Sequence, residues 1–345
     1  MERKLASIQV IKSLDPVYTR TGDEALNLAL ATFEGVEWAA VVRRAEFTVG
    51  ERCIYIEISS IVPNDKNFSF MEKDRFVVKT KKFVGTTLSQ GLVMPFSILF
   101  DYLSNFELMM DMKEGDDVSY LLGVKRYEPV ETFRTTGETA GLFPLHILPK
   151  TDEMRLQSSP LYLTVLKERA VTATMKIHGT SVTYWTENGE FHVASRNLEV
   201  RDGDNVYWEV ARRYDLPKKL SAYPNWVLQG EIAGPGICDN YLGLKGPNFF
   251  AFNIWDRLLD NYVPQDIFEL YCRMAYIPQV PVLKRWEKFD ETLETLLELA
   301  DKQYDSGRPM EGIVLRPTDE VLYDPRLGRI SCKVINNKFL LKGGT

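Results

Sequence analysis

The chain has 345 residues, of which 45% are hydrophobic and 26% charged, and its formal net charge is −6. This length favours two domains, and the composition is that of an ordinary globular protein. The charge balance argues against a non-specific polyanion binder. The sequence contains no apolar run of about 18 residues, so neither a membrane-spanning helix nor a membrane partner is expected.

The cysteines are scattered along the chain and form no CxxC pair or zinc-type spacing. Structural zinc is therefore not expected. The N-terminal segment carries charges without a long apolar run, so it does not resemble a secretory signal. These features predict reduced thiols in an intracellular protein, cytoplasmic or nuclear. The cysteines are Cys53, Cys238, Cys272 and Cys332.

The first 145 residues are typical of an all-β domain. In the segment ERCIYIEISSIVP, isoleucines alternate with other residues: Ile54, Ile56 and Ile58 lie on one face, and Tyr55 and Glu57 on the other. An alternation of this kind predicts a half-buried strand.

Turn residues recur at short intervals in this region. Val49-Gly50 predicts a turn, and a Gly-Asp-Asp turn is predicted to lead into a strand over Val118–Val124. Short strands separated by such turns are typical of a small barrel. We therefore expect an all-β, OB-like barrel over residues 1–145.

A basic segment lies within this domain, with Lys79, Lys81 and Lys82 next to Phe83. Cations interleaved with a stacking aromatic suit a nucleic-acid strand. The alternative is a solvated strand edge, since lysines commonly protect edge strands. The residue pattern alone leaves both interpretations open.

Prolines and polar residues in Thr136–Lys150 predict a linker between the domains. The following part, residues 146–345, is expected to form an α+β domain with antiparallel sheets. One helix is predicted to end near Pro217. The segment RISCKVINNKFLLK is predicted as a strand. A further helix is predicted from an apolar face made of Leu293, Leu296, Leu297 and Ala300.

Functional side chains follow one another on short β-like segments of this second domain. Strand-mounted groups are held rigidly, as convergent catalysis requires. Each residue is a weak signal alone, and the ordered set is what matters. The set consists of Lys176, Arg196, Glu231, Phe252, Glu311 and Lys333.

These residue types suit the handling of a nucleoside triphosphate. Lys176 would attack an α-phosphate, although a lysine with a pKa near 10.4 first needs nearby positive charge or desolvation to lose its proton. Glu311 would hold a divalent cation, directly or through water. Phe252 would stack on the purine, with plain core packing as the alternative. Arg196 and Lys333 would neutralise phosphate oxygens.

The ordered set resembles motifs I, Ia, III, IIIa, IV and V of the covalent nucleotidyltransferases, which include RNA ligases, DNA ligases and mRNA capping enzymes. The segments KIHGTSV, SRN, QGEIAGPGI and EGIVLRP are similar to the RNA ligase 2 group. The N-terminal segments AEFTVGERCIYIEISSIVP and SQGLVMP resemble the Deinococcus–Naegleria type of RNA ligase. In that type an OB domain precedes the nucleotidyltransferase domain.

The resemblance implies an ATP-dependent RNA ligase that seals a 3′-hydroxyl to a 5′-phosphate through a lysyl-AMP and an RNA-adenylate. It implies ATP and Mg²⁺ or Mn²⁺ as cofactors, RNA nicked within a duplex as the substrate, and a monomer. Lys176 is the implied nucleophile, with Glu311 and Glu231 on the metal side. The implied nucleotide-binding set is Met175, Lys176, Arg196, Glu231, Phe252, Glu311 and Lys333.

Three positions depart from the family pattern. Met175 stands where RNA ligase 2 relatives often have the glutamate that reads adenine. His178 replaces the aspartate of Lys-x-Asp-Gly in many ligases, which suggests a role in the metal shell or in the later sealing step. Ser331 replaces the first lysine of a Lys-x-Lys motif that ends here at Lys333.

Two other functions fit the same residues. A capping-type guanylyltransferase would form a lysyl-GMP from GTP. A catalytically silent protein that retains the fold would bind RNA without forming any lysyl-nucleotide.

Overall fold

The computed structural model describes residues 3–103, 106–127 and 138–343. Within these residues the chain divides into two compact units. The first unit holds 3–127, together with 156–161 and 337–343, and the second holds 138–155 and 162–336. The domain division at residue 145 stays a prediction.

Short strands build most of the first unit. They are β1 (Ala6–Tyr18), β2 (Glu24–Phe33), β3 (Ala40–Arg43), β4 (Arg52–Ile56), β5 (Ser60–Ile61), β6 (Val77–Val78), β7 (Thr80–Phe83), β8 (Thr87–Gln90), β9 (Leu92–Pro95) and β10 (Lys125–Arg126).

Longer strands dominate the second unit. They are β11 (Thr139–Leu142), β12 (Met154–Arg155), β13 (Val171–Lys176), β14 (Thr180–Glu187), β15 (Glu190–Ala194), β16 (Leu198–Val200), β17 (Trp226–Ala233), β18 (Asn248–Asp256), β19 (Asn261–Tyr262), β20 (Val282–Trp286), β21 (Gly312–Pro317), β22 (Tyr323–Asp324), β23 (Gly328–Arg329) and β24 (Cys332–Ile335).

The helices are short, and no described helix is long and apolar enough to cross a membrane. The α-helices are α1 (Phe106–Asp111), α2 (Leu161–Leu166), α3 (Val206–Arg213), α4 (Leu216–Ser221), α5 (Gln265–Met274), α6 (Leu293–Ala300) and α7 (Asn337–Leu341). The 3₁₀ turns are Arg44–Glu46, Ser69–Asp74, Phe96–Asp101, Leu156–Ser158 and Cys238–Asn240.

An antiparallel sheet in the order β3-β2-β1-β4-β9 forms the body of the first unit. Its two ends approach each other, because the amide of Gln90 donates to the carbonyl of Ala39 at 2.8 Å. The amide of Val41 also donates to Ser89 Oγ at 2.9 Å. The sheet therefore curls into a nearly closed barrel, which confirms the predicted all-β, OB-like architecture.

Two sequence predictions within this barrel are wrong. The segment predicted as half-buried is buried on both faces, since Tyr55 and Glu57 are each 2% exposed. Glu57 tolerates burial because Arg3 Nε lies 2.7 Å from its carboxylate. The strand predicted over Val118–Val124 is a series of turns, in which the amide of Leu122 donates to the carbonyl of Val118 at 3.0 Å. Both of these side chains are buried, so the apolar pattern reflects a single helical turn.

The second unit contains a larger sheet in the order β11-β16-β15-β14-β17-β18-β19 and a smaller sheet in the order β12-β24-β21-β13-β20. Their pairs are antiparallel except β12 with β24, which are parallel. One face of the larger sheet packs against α3, α4 and α5 in a buried apolar core. The predicted α+β architecture is confirmed.

Helix boundaries follow local chemistry. The helix predicted to end near Pro217 ends earlier, at Arg213, and Pro217 lies in the first turn of α4. Proline is favoured there because its missing N–H has no helical partner. Helix α6 lies where predicted, with Leu296 and Ala300 buried. The predicted C-terminal strand stops at Ile335, and α7 follows it.

The predicted linker is more ordered than its composition suggests. Thr136 and Gly137 lie outside the described residues. The following residues form β11, which pairs with β16. Phe143 and Leu148 are then buried against Trp185. Proline-rich composition therefore marks an irregular path over the sheet and not a loose connection.

Candidate active site

Lys176, Glu311 and His178 form the centre of the site. Lys176 ends β13, and its Nζ lies 2.7 Å from Glu311 Oε1. His178 follows two residues later, and its Nδ1 lies 3.2 Å from Glu311 Oε2. One buried carboxylate therefore holds both side chains, one on each oxygen.

Burial and charge act in opposite directions on the pKa values of Lys176 and Glu311. Burial disfavours the ionised Lys176, but Glu311 and Glu231 outweigh that effect and raise its pKa above the usual value. Burial likewise disfavours the ionised Glu311, yet the charge of Lys176 and the bond to His178 lower its pKa to about 2. The lysine is thus held as an ammonium against an ionised carboxylate.

Glu231 supplies a second carboxylate from the other sheet. It lies on β17, opposite Ser181 on β14 and Phe250 on β18. Burial raises the pKa of Glu231 to about 7, and Lys176 partly opposes that rise. The two carboxylates beside Lys176 therefore differ in acidity, because Glu311 has the direct contact with the ammonium.

Lys333 lies on the same face of the smaller sheet as Lys176. On β21, Gly312 is opposite Lys176, and Val314 is opposite both Thr174 and Lys333. Residues opposite each other, or two apart along a strand, point to the same face. The pairing therefore directs the late lysine toward the side where Lys176 lies.

Phe252 occupies an irregular position of β18. Gln229 pairs with Asn253 and Gly230 pairs with Ala251, so Phe252 is the extra residue of a β-bulge. Its ring contacts the apolar cluster that also contains Met175. Its carbonyl accepts a hydrogen bond from Arg316 Nη1 at 3.0 Å. Phe250 packs against the same cluster.

Metal-binding capacity rests on the two carboxylates. In the ranges that the structure describes, no group of three or more His, Cys, Asp or Glu side chains is arranged to hold a metal ion. Mg²⁺ commonly uses one or two protein carboxylates together with substrate phosphates and water. Glu311, ionised, and Glu231 therefore fit a metal that arrives with a phosphate substrate.

Two family models match the chain. A model described as RNA ligase matches residues 169–335, which contain the whole site. A model of the PHA02142 OB-fold domain matches residues 5–96. The part of the chain that carries the site, residues 169–335, belongs to the RNA ligase family.

Solved structures of an RNA ligase from Naegleria gruberi resemble nearly the whole chain. The enzyme with PPi is 28% identical, with a TM-score of 0.84 and 98% coverage of both chains. A variant with AMP and Mn gives the same identity, TM-score and coverage. Another variant with ATP and Mn is 27% identical, with a TM-score of 0.83, and covers 98% of this chain and 97% of that one. A search of curated proteins gave no match.

Arg196 lies at the margin of this RNA ligase site. It follows β15, and its Nη2 contacts both carboxylate oxygens of Asp152, at 2.9 and 3.0 Å. Arg196 is near enough for its charge to oppose that of Lys176. Lys150, Thr151 and Ser181 line the same hollow. A phosphate contact by Arg196 would compete with Asp152.

The glycines of two ligase motifs are required by close packing. A Cβ on Gly179 would lie 2.2 Å from the carbonyl oxygen of Ile232 on β17. A Cβ on Gly312 would lie 2.1 Å from the carbonyl oxygen of Val334, and its φ of +155° is rare for side-chain-bearing residues. These glycines let the strands approach closely beside Lys176 and Glu311.

Several contacts of the site were not predicted. Arg316 is buried and donates to Ser331 Oγ at 2.9 Å and to Glu153 Oε1 at 2.8 Å. A lone charge inside the apolar run GIVLRP was the available signal for it. Asp152 and Tyr304 lie in irregular segments, where no periodicity marks them. Only the folded chain brings them to the site.

Proposed function

We propose that this protein is an ATP-dependent RNA ligase that joins a 3′-hydroxyl to a 5′-phosphate. The observation that carries the proposal is the position of Lys176, whose Nζ lies 2.7 Å from Glu311 in the part of the chain that the RNA ligase model matches. The Naegleria enzyme, similar over nearly the whole chain, has been solved with ATP and Mn, with AMP and with PPi.

In the first step, Nζ of Lys176 attacks the α-phosphorus of ATP. The ammonium first loses a proton to solvent. The nitrogen lone pair then forms an N–P bond, the bond to the pyrophosphate oxygen breaks, and the nitrogen releases a second proton to solvent or pyrophosphate. The AMP then passes to the 5′-phosphate of the RNA, which restores the free lysine. Attack by the 3′-hydroxyl expels AMP and closes the strand.

The side chains around Lys176 take distinct parts in this scheme. Phe252 supports the purine beside Met175, and Lys333 and Arg196 bind phosphate oxygens. Glu231, opposite Ser181, binds ribose hydroxyls or the waters of a metal. His178, held by Glu311, serves in the metal shell or in sealing.

Mg²⁺ or Mn²⁺ held by Glu311 and Glu231 would supply positive charge that favours the neutral form of Lys176 and neutralises the phosphates. Such charge is needed because the two carboxylates hold the pKa of Lys176 above its usual value. Binding of a cation at Glu311 would therefore release the lysine from the contact that keeps it protonated.

The physiological setting is also part of the proposal. We propose RNA nicked within a duplex as the substrate, and a monomer as the active form. An intracellular location, cytoplasmic or nuclear, is supported by the thiols, since Cys53, Cys238, Cys272 and Cys332 are all unpaired by disulfides.

Incubation with labelled ATP and Mg²⁺ or Mn²⁺ tests the nucleophile. Wild-type protein should acquire label that survives denaturation, and Lys176→Ala should acquire none. Lys284→Ala is a matched control. This lysine lies on the neighbouring strand β20, and its Nζ also contacts a carboxylate, that of Glu291, at 2.8 Å. Label on Lys176→Ala would show that the nucleophile lies elsewhere.

The same assay separates the other functions. Covalent label from GTP alone would indicate a guanylyltransferase. Absence of label from both nucleotides, with RNA binding intact, would indicate a silent RNA-binding protein. Sealing of a nicked RNA duplex by the wild type, and failure to seal by Lys176→Ala, completes the test.

A further inference from the structure

The hydroxyl of Tyr304 connects the backbones of Lys176 and Glu311. Tyr304 lies between α6 and β21, and it is 6% exposed. Its Oη donates to the carbonyl oxygen of Lys176 at 2.7 Å. The same oxygen accepts a hydrogen bond from the amide of Glu311 at 3.1 Å.

This connection lies where the strand ladder stops. Lys176 on β13 and Gly312 on β21 are the last paired residues at this end of the two strands. Beyond them, the Glu311 amide needs another partner, because buried backbone groups are rarely left without one, and the Lys176 carbonyl can accept a further bond through its second lone pair. A hydroxyl can donate one bond and accept another, so Tyr304 satisfies both groups with a single atom.

The surroundings fix this hydroxyl in place. Burial, with the nearby charge of Glu311, raises the pKa of Tyr304, so the hydroxyl keeps its proton and donates it. The amide of Tyr304 donates to the carbonyl of Arg308 at 2.9 Å, which closes its loop. Glu311 is also held on its other side, since its carbonyl accepts from the amide of Asn336 at 3.0 Å.

We propose that Tyr304 is a positioning residue that sets the distance between Lys176 and Glu311 before ATP binds. The proposal rests on the proposed function of Lys176 as the nucleophile. Tyr304 touches backbone atoms of both residues and neither of their reacting groups. Its contribution is therefore to hold the nucleophile and the metal-side carboxylate at a fixed separation.

A fixed separation matters because displacement of a reacting group by about 1 Å can cost a factor of about 100 in rate. Without the hydroxyl, the ends of β13 and β21 would separate or admit a water. The Lys176 ammonium and the Glu311 carboxylate would still be present, but their separation would vary. We therefore expect a slower chemical step with nearly unchanged ATP binding.

Tyr304→Phe is the direct test, because it removes one oxygen and keeps the buried ring. Tyr184→Phe is the matched control. Tyr184 is fully buried, and its hydroxyl donates to the carbonyl of Tyr207 at 2.9 Å on the helix-covered face of the larger sheet. Thermal unfolding should show similar losses of stability for the two variants, so a shared structural effect is measured separately.

The readout is the rate of lysyl-AMP formation in a single turnover over a range of ATP concentrations. Tyr304→Phe should lower the maximal rate about 10- to 100-fold, with half-saturating ATP within about threefold of wild type, and Tyr184→Phe should leave both unchanged. Pyrophosphate added to the purified lysyl-AMP protein re-forms ATP, and this reverse reaction should slow by a similar factor. The forward and reverse reactions share one transition state.

Three results would overturn the proposal. They are a maximal rate within threefold of wild type, a rise in half-saturating ATP at an unchanged maximal rate, and slowing in one direction only. The proposed function is judged separately, by label on wild type and none on Lys176→Ala. A wild type that never becomes labelled would refute the ligase chemistry and leave Tyr304 as a stabilising contact alone.

Discussion

Glu311 is the residue on which the other charges of the site depend. Its two oxygens are shared between Lys176 and His178, and its backbone is bound by Tyr304 and Asn336. The side chain is therefore oriented before any ligand arrives, which reduces the reorganisation needed at the moment of reaction.

Glu311→Gln should abolish most of the adenylylation activity. The amide keeps the shape of the carboxylate but removes the charge that a cation needs, so we expect lysyl-AMP formation to fall at least about 100-fold, comparable to the loss of other electrostatic groups in active sites. The rate should be measured in a single turnover with labelled ATP.

Glu291→Gln is the control for this substitution. Glu291 also contacts a lysine, Lys284, at 2.8 Å in the same unit, and it is not one of the predicted site residues. Its rate should stay within about twofold of wild type, because a partly exposed ion pair contributes little even to stability. A Glu311→Gln protein as active as this control would show that the charge of Glu311 is dispensable.

The sequence predicted the residues of the site only where a motif contains them. Lys176 and Glu311 are far apart in the chain, and their contact could be expected only from a resemblance between ordered motifs. The contact of Arg196 with Asp152 had no such signal, because a carboxylate in an irregular segment has many potential partners. A lone tyrosine such as Tyr304 carries no pattern at all.

At the scale of elements, β18, β21 and β24 are joined by one buried arginine. Arg316 on β21 bonds to Ser331, which precedes β24, and to the carbonyl of Phe252 in the bulge of β18. Glu153 balances its charge at 2.8 Å. Arg316 thus connects the smaller sheet to the larger sheet at Phe252, the residue proposed to stack on the purine. Ser331, which departs from the family pattern, is part of that connection.

Ser331→Lys should therefore impair this protein, although it restores the commoner family residue. The new ammonium would be placed against the buried guanidinium of Arg316. Glu153 also contacts Ser331. It already balances the charges of Arg316 and Arg329, so the added buried charge should cost about 3 kcal/mol. Both the midpoint of thermal unfolding and the rate of lysyl-AMP formation should fall.

Ser331→Ala provides the comparison, since it removes the hydrogen bonds of the hydroxyl with Arg316 and Glu153 and adds no charge. Its cost should be about 1 kcal/mol, with activity largely retained. An increase in ligation by Ser331→Lys, at unchanged stability, would mean that Arg316 moves aside and that the serine is not its required partner.

Element types followed from the sequence where periodicity was strong. The apolar face of α6 predicted a helix correctly, and the segments around Lys176 and Glu231 predicted strands. Val118–Val124 was misread because an apolar pair one helical turn apart also fits a short strand. The bulge at Phe252 could not be predicted, since it depends on the partner strand and not on local propensity.

At the scale of the molecule, the proposed nucleotide-binding residues and the basic segment lie in different units. The second unit contains all of the proposed nucleotide-binding residues. In the first unit, Lys79 and Lys82 are exposed, whereas Lys81 is paired with Asp74. The basic segment predicted from the sequence is therefore reduced to two available cations on and beside β7.

The double substitution Lys79→Ala and Lys82→Ala should weaken RNA binding and leave lysyl-AMP formation unchanged. Each lysine–phosphate interaction that is lost should reduce the slope of log affinity against log salt by about 0.7–0.9. RNA affinity measured at several salt concentrations tests this. Lys12→Ala with Lys113→Ala, also exposed lysines of the first unit, is the control. Equal affinity for both double variants would favour the solvated-edge interpretation of this segment.

The first unit takes its last helix, α7, from the far end of the described chain. Phe339 and Leu340 are buried, and Asn337 Oδ1 accepts a hydrogen bond from Gln90 Nε2 at 2.9 Å. During synthesis at about 5–20 residues per second, these residues emerge roughly 10 to 40 s after residue 127. The barrel must therefore wait, with part of its apolar surface uncovered, while the catalytic unit is made. A chain that stalls inside the second unit lacks α7, so its first unit stays incomplete. Completion of the first unit therefore reports that the second has been translated.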